Sequence, residues 1–381
     1  MRVRPLAEEC LEELKKIRRE LHRIPEYSFD VFKTTAYLTE YLKKLEPDVL
    51  TSCAGTGIKA VFRAPNPRKT VAIRADIDGL RVPEHTGCEF ASVHENMMHA
   101  CGHDGHMAIA LVCAALVSRA RESLKYNYVF LFQPAEETVG GAQPMIEGGA
   151  LSDPRVDEIY GIHLWPDVPL GMIGMKQGPI MAQMCDFNID ITGKGGHGAK
   201  PQDANDALVA AAQLITAVQT IVSRNIDPYE TAVLTIGRAE GGKARNVICE
   251  TVHLEGTMRG FEARVMDTIK QRLHELLEGL RVSYGVRCEY FEPMSYPAVV
   301  NDESLFRAAY GKFSADEVEI VKPFMMAEDF SNYQRQIPGL YTFVGIGESK
   351  DTPPLHASNF DFNEQALLNG VEYFLRVTDF E

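Results

Sequence analysis

The sequence has no cysteine pair in CxxC spacing, no apolar run as long as a membrane span, and few basic residues relative to acidic ones. Its eight cysteines are scattered over 381 residues, so we expect reduced, mostly buried thiols instead of a disulfide framework. Lysine and arginine total 39 against 53 acidic residues, a net charge of −14. This balance argues against nucleic acid or an anionic membrane as a partner and favours small molecules.

The chain also lacks internal repeats and low-complexity segments. Its first residues, MRVRPLAEECLEELKKIRRE, predict a charged amphipathic helix and do not resemble a signal peptide. We therefore expect a cytoplasmic protein. The length and the 45% hydrophobic content suit a globular protein with up to two domains.

The stretch from His99 to His106 (HACGHDGH) concentrates three histidines, a cysteine and an aspartate. Imidazole and thiolate are common ligands of zinc and similar metals, and the two glycines allow a tight loop. Met107–Arg119 is rich in alanine and leucine, which predicts a helix with Asp104 near its N-terminus. The helix dipole would then favour a thiolate at Cys101. The stretch alone predicts half of a metal site.

Buried strands elsewhere are followed by acids or histidines. The segments are Thr70–Arg74 before Asp76 and Asp78, Asn127–Phe132 before Glu136-Glu137, Glu158–Ile162 before His163, and Leu340–Ile346 before a loop with His356. Strands alternate with helices, which predicts an α/β sheet. Because ligands bind at the carboxyl ends of strands in such sheets, we expect these side chains to be neighbours.

Together these positions offer more ligands than one tetrahedral metal ion uses. The candidates are Cys101, His103, Glu136, Glu137, His163 and His356. A two-metal site, with Cys101 or a carboxylate as the bridge and ions roughly 3.5–4 Å apart, is the simplest interpretation. Successive side chains diverge in an extended segment, so one glutamate could bind metal while the other serves as general base.

The pattern changes between residues 184 and 292. Strands are predicted at 185–192, 231–238, 247–258 and 286–291, and helices at 203–224 and 263–280. The order βαββαβ predicts a ferredoxin-like α+β domain inserted into the first one. The predicted domains are therefore 1–184 with 293–381, and 185–292.

The inserted segment contains a glycine-rich loop that exposes His197, then Asn246 and, at a strand end, Arg259. The loop lacks the GxxxxGK[ST] spacing of a phosphate-binding loop. We interpret these residues as groups that polarise a substrate carbonyl and bind a carboxylate, for which arginine is well suited.

Several segments resemble the dinuclear metal-dependent aminoacylase and carboxypeptidase superfamily, in particular its amidohydrolase branch of hippurate hydrolases, auxin-conjugate hydrolases and N-acetyl-amino-acid deacetylases. The segments span nearly the whole chain: LHRIPEYSF at 21–29, RADIDGL at 74–80, MHACGHDGH at 98–106, FQPAEE at 132–137, GIHLWP at 161–166, GKGGHGAKP at 193–201, GTMR at 256–259, AEDF at 327–330 and PLHASNFDFNE at 354–364. The resemblance implies a zinc-peptidase-like catalytic domain, with a mixed sheet flanked by helices, and an inserted lid or dimerisation domain.

The resemblance also implies roles for individual residues. The metal ligands would be Cys101 as the bridge, His103, Glu137, His163 and His356, and the general base would be Glu136. Many relatives have HxD where this chain has Arg74-Ala75-Asp76. Asp76 would therefore orient the metal ligands by hydrogen bonding without binding the metal itself. Asp104 would either do the same or cap its helix.

His197, by the same resemblance, would polarise the scissile carbonyl, acting in its own subunit or in the partner of a homodimer or higher homo-oligomer formed through the inserted domain. Asn246 and Arg259 would bind the α-carboxylate of the substrate. Closure of the inserted domain would bring His197 to the metals.

The predicted function is a metal-dependent hydrolase that cleaves the amide bond of N-acyl amino acids, for example N-acetyl amino acids, with two divalent metal ions (Zn, Mn, Co or Ni). One alternative is a thiol hydrolase with Cys101 as its nucleophile. Another is a catalytically idle metal-binding protein with the same fold.

Overall fold

A computed structural model describes residues 4–349 and 351–380 of the protein. By its internal contacts the chain divides into two compact units. Unit 1 comprises Met1–Ile180, Val300–Lys322 and Asp329–Glu381, and unit 2 comprises Met181–Val299 and Pro323–Glu328. The domain bounds predicted from the sequence, 184/185 and 292/293, place residues 181–184, 293–299 and 323–328 with the first domain instead.

The strands and helices alternate along much of the chain. The strands are β1 (Val49–Cys53), β2 (Gly57–Phe62), β3 (Thr70–Asp76), β4 (Asn127–Gln133), β5 (Glu158–Pro169), β6 (Ile173–Met175), β7 (Gly178–Met181), β8 (Gln183–Thr192), β9 (Gly196–His197), β10 (Ala232–Gly241), β11 (Val247–Ile248), β12 (Thr251–Gly260), β13 (Arg287–Tyr296), β14 (Val299–Asn301), β15 (Val318–Ile320) and β16 (Gly339–Gly347). The α-helices are α1 (Pro5–Glu8), α2 (Leu11–His22), α3 (Phe32–Lys43), α4 (His103–Arg119), α5 (Ala142–Glu147), α6 (Ala207–Asn225), α7 (Ala263–Tyr284), α8 (Glu303–Tyr310), α9 (Ser331–Gln334) and α10 (Ala366–Val377).

A mixed sheet forms the centre of unit 1. Within the described residues its strand order is β1-β2-β4-β3-β5-β16-β6-β15. The four strands β4, β3, β5 and β16 run parallel, and β15 pairs parallel with β6. The pairs β1–β2, β2–β4 and β6–β16 are antiparallel. The predicted α/β class with a mixed sheet flanked by helices is confirmed.

Helix α4 lies in the core of unit 1. It is buried from His103 to Val117 and packs against α2, α10 and β3. A helix covered on all sides must be apolar all round, which explains its run of alanine, leucine and valine. Its burial fixes the position of His103, its first residue.

Several elements differ from the sequence prediction. Helix α4 begins at His103 instead of Met107, so half of the predicted ligand loop is helical. Strand β5 continues to Pro169 because it pairs with β16 beyond the point where its pairing with β3 stops, which places His163 inside the strand. Strands β1 and β2 were missed; β2 is buried throughout although it contains Lys59.

Unit 2 contains an antiparallel sheet of order β10-β12-β8-β13 and the helices α6 and α7. On β8 the side chains of Phe187, Ile189 and Ile191 are buried, and the residues between them are more exposed. The chain order β8-α6-β10-β12-α7-β13 gives the ferredoxin-like arrangement. The role of this unit as a lid or dimerisation domain stays a prediction.

From the sequence we expected no apolar run long enough to span a membrane, and helix α6 corrects that expectation. Judged by length and composition alone, α6 is the one helix among the described residues that is long and apolar enough to cross a membrane. A core helix passes the same test, and α6 buries Ala210, Leu214 and Val218 in the core of unit 2. This feature is therefore weak evidence for a membrane span.

Candidate active site

The predicted metal ligands of unit 1 come together at the carboxyl end of the parallel strands. In each of three groups of side chains, the potential ligand atoms lie within 4.8 Å of one another. The groups are Cys101 with His103 and His163, Cys101 with Glu137 and His356, and His103 with Glu136 and Glu137. Cys101, His103 and Glu137 each belong to two of these groups, so the groups form one continuous cluster.

Two of the histidines are held in the tautomer that metal binding requires. The Nδ1 of His103 donates to the carbonyl oxygen of Asp78 at 2.9 Å, and the Nδ1 of His163 donates to that of Leu164 at 2.8 Å. In the neutral form of each ring the lone pair therefore lies on Nε2, where a metal ion could bind. The Nε2 of His163 lies 3.3 Å from the Sγ of Cys101.

Two buried polar atoms at this site also fit a metal ion. Within the described part of the chain, His103 Nε2 and Glu137 Oε1 make no hydrogen bond, and they lie 3.7 Å apart. Glu137 Oε1 lies 3.3 Å from the Nε2 of His356. Buried polar atoms without a partner cost free energy, and metal coordination would satisfy them. The residues present thus suit the metal ions that the sequence predicted.

The loop before α4 brings Cys101 to this point. Gly102 adopts a left-handed φ of 79°, and a Cβ there would lie 3.3 Å from the side chain of Leu164. The backbone N–H of His356 donates to the carbonyl oxygen of Ala100 at 2.8 Å. This hydrogen bond joins the loop that carries His356 to the one that carries Cys101.

Glu136 and Glu137 do not lie on an extended segment, contrary to the expectation from the sequence. Ala135 has a φ of 61°, so the chain turns directly after β4 and Pro134. The carboxylate of Asp78 accepts the backbone N–H of Glu136 on Oδ1 and that of Glu137 on Oδ2, both at 3.1 Å. The turn allows both glutamates to reach His103.

Charges at the site favour a cation. Burial alone would lower the pKa of His103, but the carboxylates of Asp76, Asp78 and Glu137 raise it to about 10. Burial would raise the pKa of Glu137, but the imidazoles of His356 and His103 lower it to about 2. The surrounding carboxylates thus require positive charge at this point, which a divalent metal ion supplies.

Cys101 departs from the expectation that the helix dipole favours its thiolate. Burial raises its pKa well above the ordinary value, and the nearby carboxylates of Glu137 and Glu136 raise it further. These effects outweigh a helix dipole, which contributes only about 0.3–1 kcal/mol at exposed positions. Without a cation beside it, Cys101 remains a neutral thiol.

Asp76 supports the site through His106. Its Oδ1 accepts the Nδ1–H of His106 at 2.6 Å, and the His106 Nε2 accepts the backbone N–H of Leu164 at 2.9 Å. Because both ring nitrogens are used, His106 has no lone pair left for a metal ion. Asp76 also forms an ion pair with the buried Arg74.

Asp104 does not cap α4, since Gly102 holds the cap position and no side chain caps the helix there. Its Oδ2 instead accepts from Arg18 Nε and His22 Nδ1, both at 2.8 Å. His99 is also buried, and burial lowers its pKa to about 3. Asp104 thus fixes the first turn of α4 to α2.

Three further predicted residues lie in unit 2. His197, on β9, is exposed, and its Nδ1 accepts the backbone N–H of Ala199 at 3.1 Å, which leaves the proton on Nε2. His197 and Asn246 line one surface cleft of about 540 Å³. Arg259 is not among the lining residues of that cleft; it donates to the carbonyl oxygen of Met325 at 3.2 Å.

Sequence reasoning missed the role of Asp78, which it noted only as an acid after a strand. The signal was the spacing Asp76-Ile77-Asp78, because two acids at i and i+2 directly after a buried strand can both face the same edge. The two oxygens of Asp78 hold the backbone of both glutamates.

Comparison with known proteins identifies the family. The model of peptidase family M20/M25/M40 matches residues 72–379. The chain belongs to this family. An N-acetyldiaminopimelate deacetylase of Brevibacillus brevis is 40% identical over 358 residues, 92% of this chain and 93% of the relative. Another from Priestia megaterium is 39% identical over 339 residues, 88% and 90% of the two chains.

Solved structures of similar proteins agree in fold. A dinuclear metal-binding peptidase of Bacillus subtilis superposes with a TM-score of 0.84 at 32% identity and covers 97% of this chain and 98% of its own. A structure from methicillin-resistant Staphylococcus aureus has a TM-score of 0.93 at 36% identity, covering 98% and 97%. The resemblance drawn from the sequence is confirmed, and the protein is a metal-dependent amidohydrolase.

We predict that Asp78→Asn lowers both metal affinity and kcat/KM by about 10–100-fold, the usual effect of removing a group that orients ligands. The amide would place N–H donors against the backbone N–H groups of Glu136 or Glu137. Metal titration and steady-state kinetics measure the effect.

Asp157→Asn is the matched control, since Asp157 also accepts a backbone N–H, that of Thr70, at the opposite end of the sheet. Unchanged metal affinity and activity in Asp78→Asn would contradict the proposed orientation of the glutamates.

Proposed function

We propose that this amidohydrolase removes the acyl group, foremost an acetyl group, from N-acyl amino acids, with N-acetyldiaminopimelate as the first substrate to test. Curated relatives at about 40% identity are N-acetyldiaminopimelate deacetylases. The observation that carries the proposal is the convergence of the five expected ligands with Glu136 at one edge of the unit 1 sheet.

Cys101, His103, Glu137, His163 and His356 would hold two divalent metal ions, for which we propose Zn, Mn, Co or Ni. Bound there, the metal pair would polarise the amide carbonyl and acidify a water molecule. The Nε2 lone pairs of His103 and His163 are oriented for this by the hydrogen bonds at their Nδ1 atoms.

Glu136 would act as the general base. Its carboxylate takes a proton from water as the water oxygen attacks the amide carbon, and it returns this proton to the nitrogen as the C–N bond breaks. The products are a carboxylic acid and a free amine. The backbone anchor at Asp78 keeps Glu136 beside Glu137 and His103 during both transfers.

The residues of unit 2 would bind the substrate. His197 carries a proton on Nε2 and can donate it to the oxygen that becomes negative during attack. Asn246 and Arg259 would hold the α-carboxylate, for which the arginine offers two parallel N–H donors.

Cys101 is a poor nucleophile in this setting, which argues against a thiol hydrolase. A reactive cysteine needs a depressed pKa, whereas burial and the adjacent carboxylates raise the pKa of Cys101. A role as metal ligand is compatible with the raised pKa of Cys101, because a bound cation displaces the proton of the thiol.

A cytoplasmic homodimer formed through unit 2 is part of the proposal. On α6, Leu208 and Val209 are each 51% exposed, beside the buried face of the same helix. Such exposed apolar side chains favour contact with another subunit.

We predict that Glu136→Gln lowers kcat by about 10²–10⁴-fold, the usual contribution of a general base, while the metal content is retained. Steady-state rates and elemental analysis of the same sample measure both quantities. Glu147→Gln, an exposed glutamate on α5, serves as the control. A near wild-type rate with metal bound would show that Glu136 is not the base.

The substrate prediction is tested with N-acetyl, N-succinyl, N-benzoyl and indole-acetyl amino acids, including N-acetyldiaminopimelate, after reconstitution with each metal. We expect release of free amine from the N-acetyl substrates, loss of the activity with a chelator, and recovery when metal is added back. Activity that survives chelation would favour the thiol hydrolase. No release from any substrate would favour the catalytically idle protein.

For the dimer, we predict that Leu208→Glu shifts the protein towards monomers in sedimentation equilibrium, because a buried charge weakens an apolar interface. Val93→Glu is the control, since Val93 is 66% exposed but belongs to unit 1, outside the proposed interface. A wild-type protein that sediments as a monomer at all concentrations would refute this part of the proposal.

A further inference from the structure

Unit 1 contains a second group of metal-ligand side chains, none of which is an expected ligand of the active site. The potential ligand atoms of His22, Glu84 and Cys88 lie within 4.8 Å of one another. His22 Nε2 is 3.2 Å from Glu84 Oε1, and Cys88 Sγ is 3.7 Å from the same oxygen.

The two separations from Glu84 Oε1 match those of a tetrahedral zinc site, and the ligand atoms of His22 and Cys88 lie within 4.8 Å of each other. Zinc binds nitrogen and oxygen at roughly 2.0–2.2 Å and sulfur at about 2.3 Å, so neighbouring ligand atoms lie roughly 3.3–3.7 Å apart. Small side-chain adjustments of the half-buried Cys88 would complete three corners of the tetrahedron. Water would supply the fourth, as in sites with three protein ligands.

The ligands are oriented by their neighbours. His22 Nδ1 lies 2.8 Å from the buried Asp104 Oδ2, so a carboxylate orients the imidazole with Nε2 towards Glu84. Zinc-bound histidines typically donate the N–H of their other ring nitrogen to a carboxylate in this way. Glu84 is fixed as well, because its Oε2 accepts the backbone N–H of Ser92 at 2.7 Å.

The site is largely shielded from water and its charges balance. The side chains of His22 and Glu84 are 1% and 6% exposed. The thiolate of Cys88 and the carboxylate of Glu84 together neutralise a divalent cation, while Arg18 pairs with Asp104 at 2.8 Å. A metal ion therefore brings no uncompensated charge into the protein.

We propose that His22, Glu84 and Cys88 bind one zinc ion, separate from the metal pair of the active site. The ion ties the loop that contains Glu84 and Cys88 to the end of α2. Through Asp104 it also supports the first turn of α4, where His103 lies.

The test compares the zinc content of the full-length protein with that of two variants after equilibrium dialysis against buffered zinc. We expect Cys88→Ser and Glu84→Gln each to bind one zinc ion fewer per chain than wild type. Cys288→Ser, which removes another half-buried thiol, on β13 of unit 2, should bind as much as wild type. Equal zinc in wild type and Cys88→Ser would overturn the proposal.

A second measurement needs no substitution. Iodoacetamide alkylation of Cys88, followed by peptide mass spectrometry, should slow by about tenfold or more when zinc is added to the chelated wild-type protein, because a metal-bound thiolate is protected. An unchanged alkylation rate would show that His22 and Glu84 form only an ion pair, with Cys88 as a bystander.

Discussion

Arg74 lies fully buried between the carboxylates of Asp76 and Asp329, and this ion cluster joins the ends of β3 and β4 to the segment before α9. Removing these charges from water is costly, so their hydrogen bonds must all be satisfied. Gln133, at the end of β4, accepts from Arg74 at 2.9 Å and donates to Asp329 at 2.8 Å. Asp76 in turn holds His106 against the backbone of β5. The expected metal ligands lie directly beyond this cluster.

Much of the candidate site could be predicted from the sequence because its residues follow strands. An apolar run such as Asn127–Phe132 is visible in the sequence, and so is the acid pair after it. Parallel strands bring such residues to one edge whatever their separation along the chain. Hence the strand pattern groups Glu137, His163 and His356, although they lie far apart in the sequence, and the ligand-rich stretch before α4 adds Cys101.

What the sequence could not supply depends on turns and long-range pairing. The left-handed backbone at Ala135 has no signal in an alanine, yet it decides where Glu136 and Glu137 point. The length of β5 depends on its pairing with β16, which begins some 180 residues later in the chain. The raised pKa of Cys101 likewise depends on carboxylates from a distant segment.

The hydrogen bonds of Asp78 have a further consequence. Ordering a backbone residue costs roughly 1–2 kcal/mol of conformational entropy. Because Asp78 holds the N–H groups of both Glu136 and Glu137, their backbone loses this entropy when the chain folds and not when substrate binds. The acid pair is thus preorganised, and more of the substrate's interaction energy remains for stabilising the transition state.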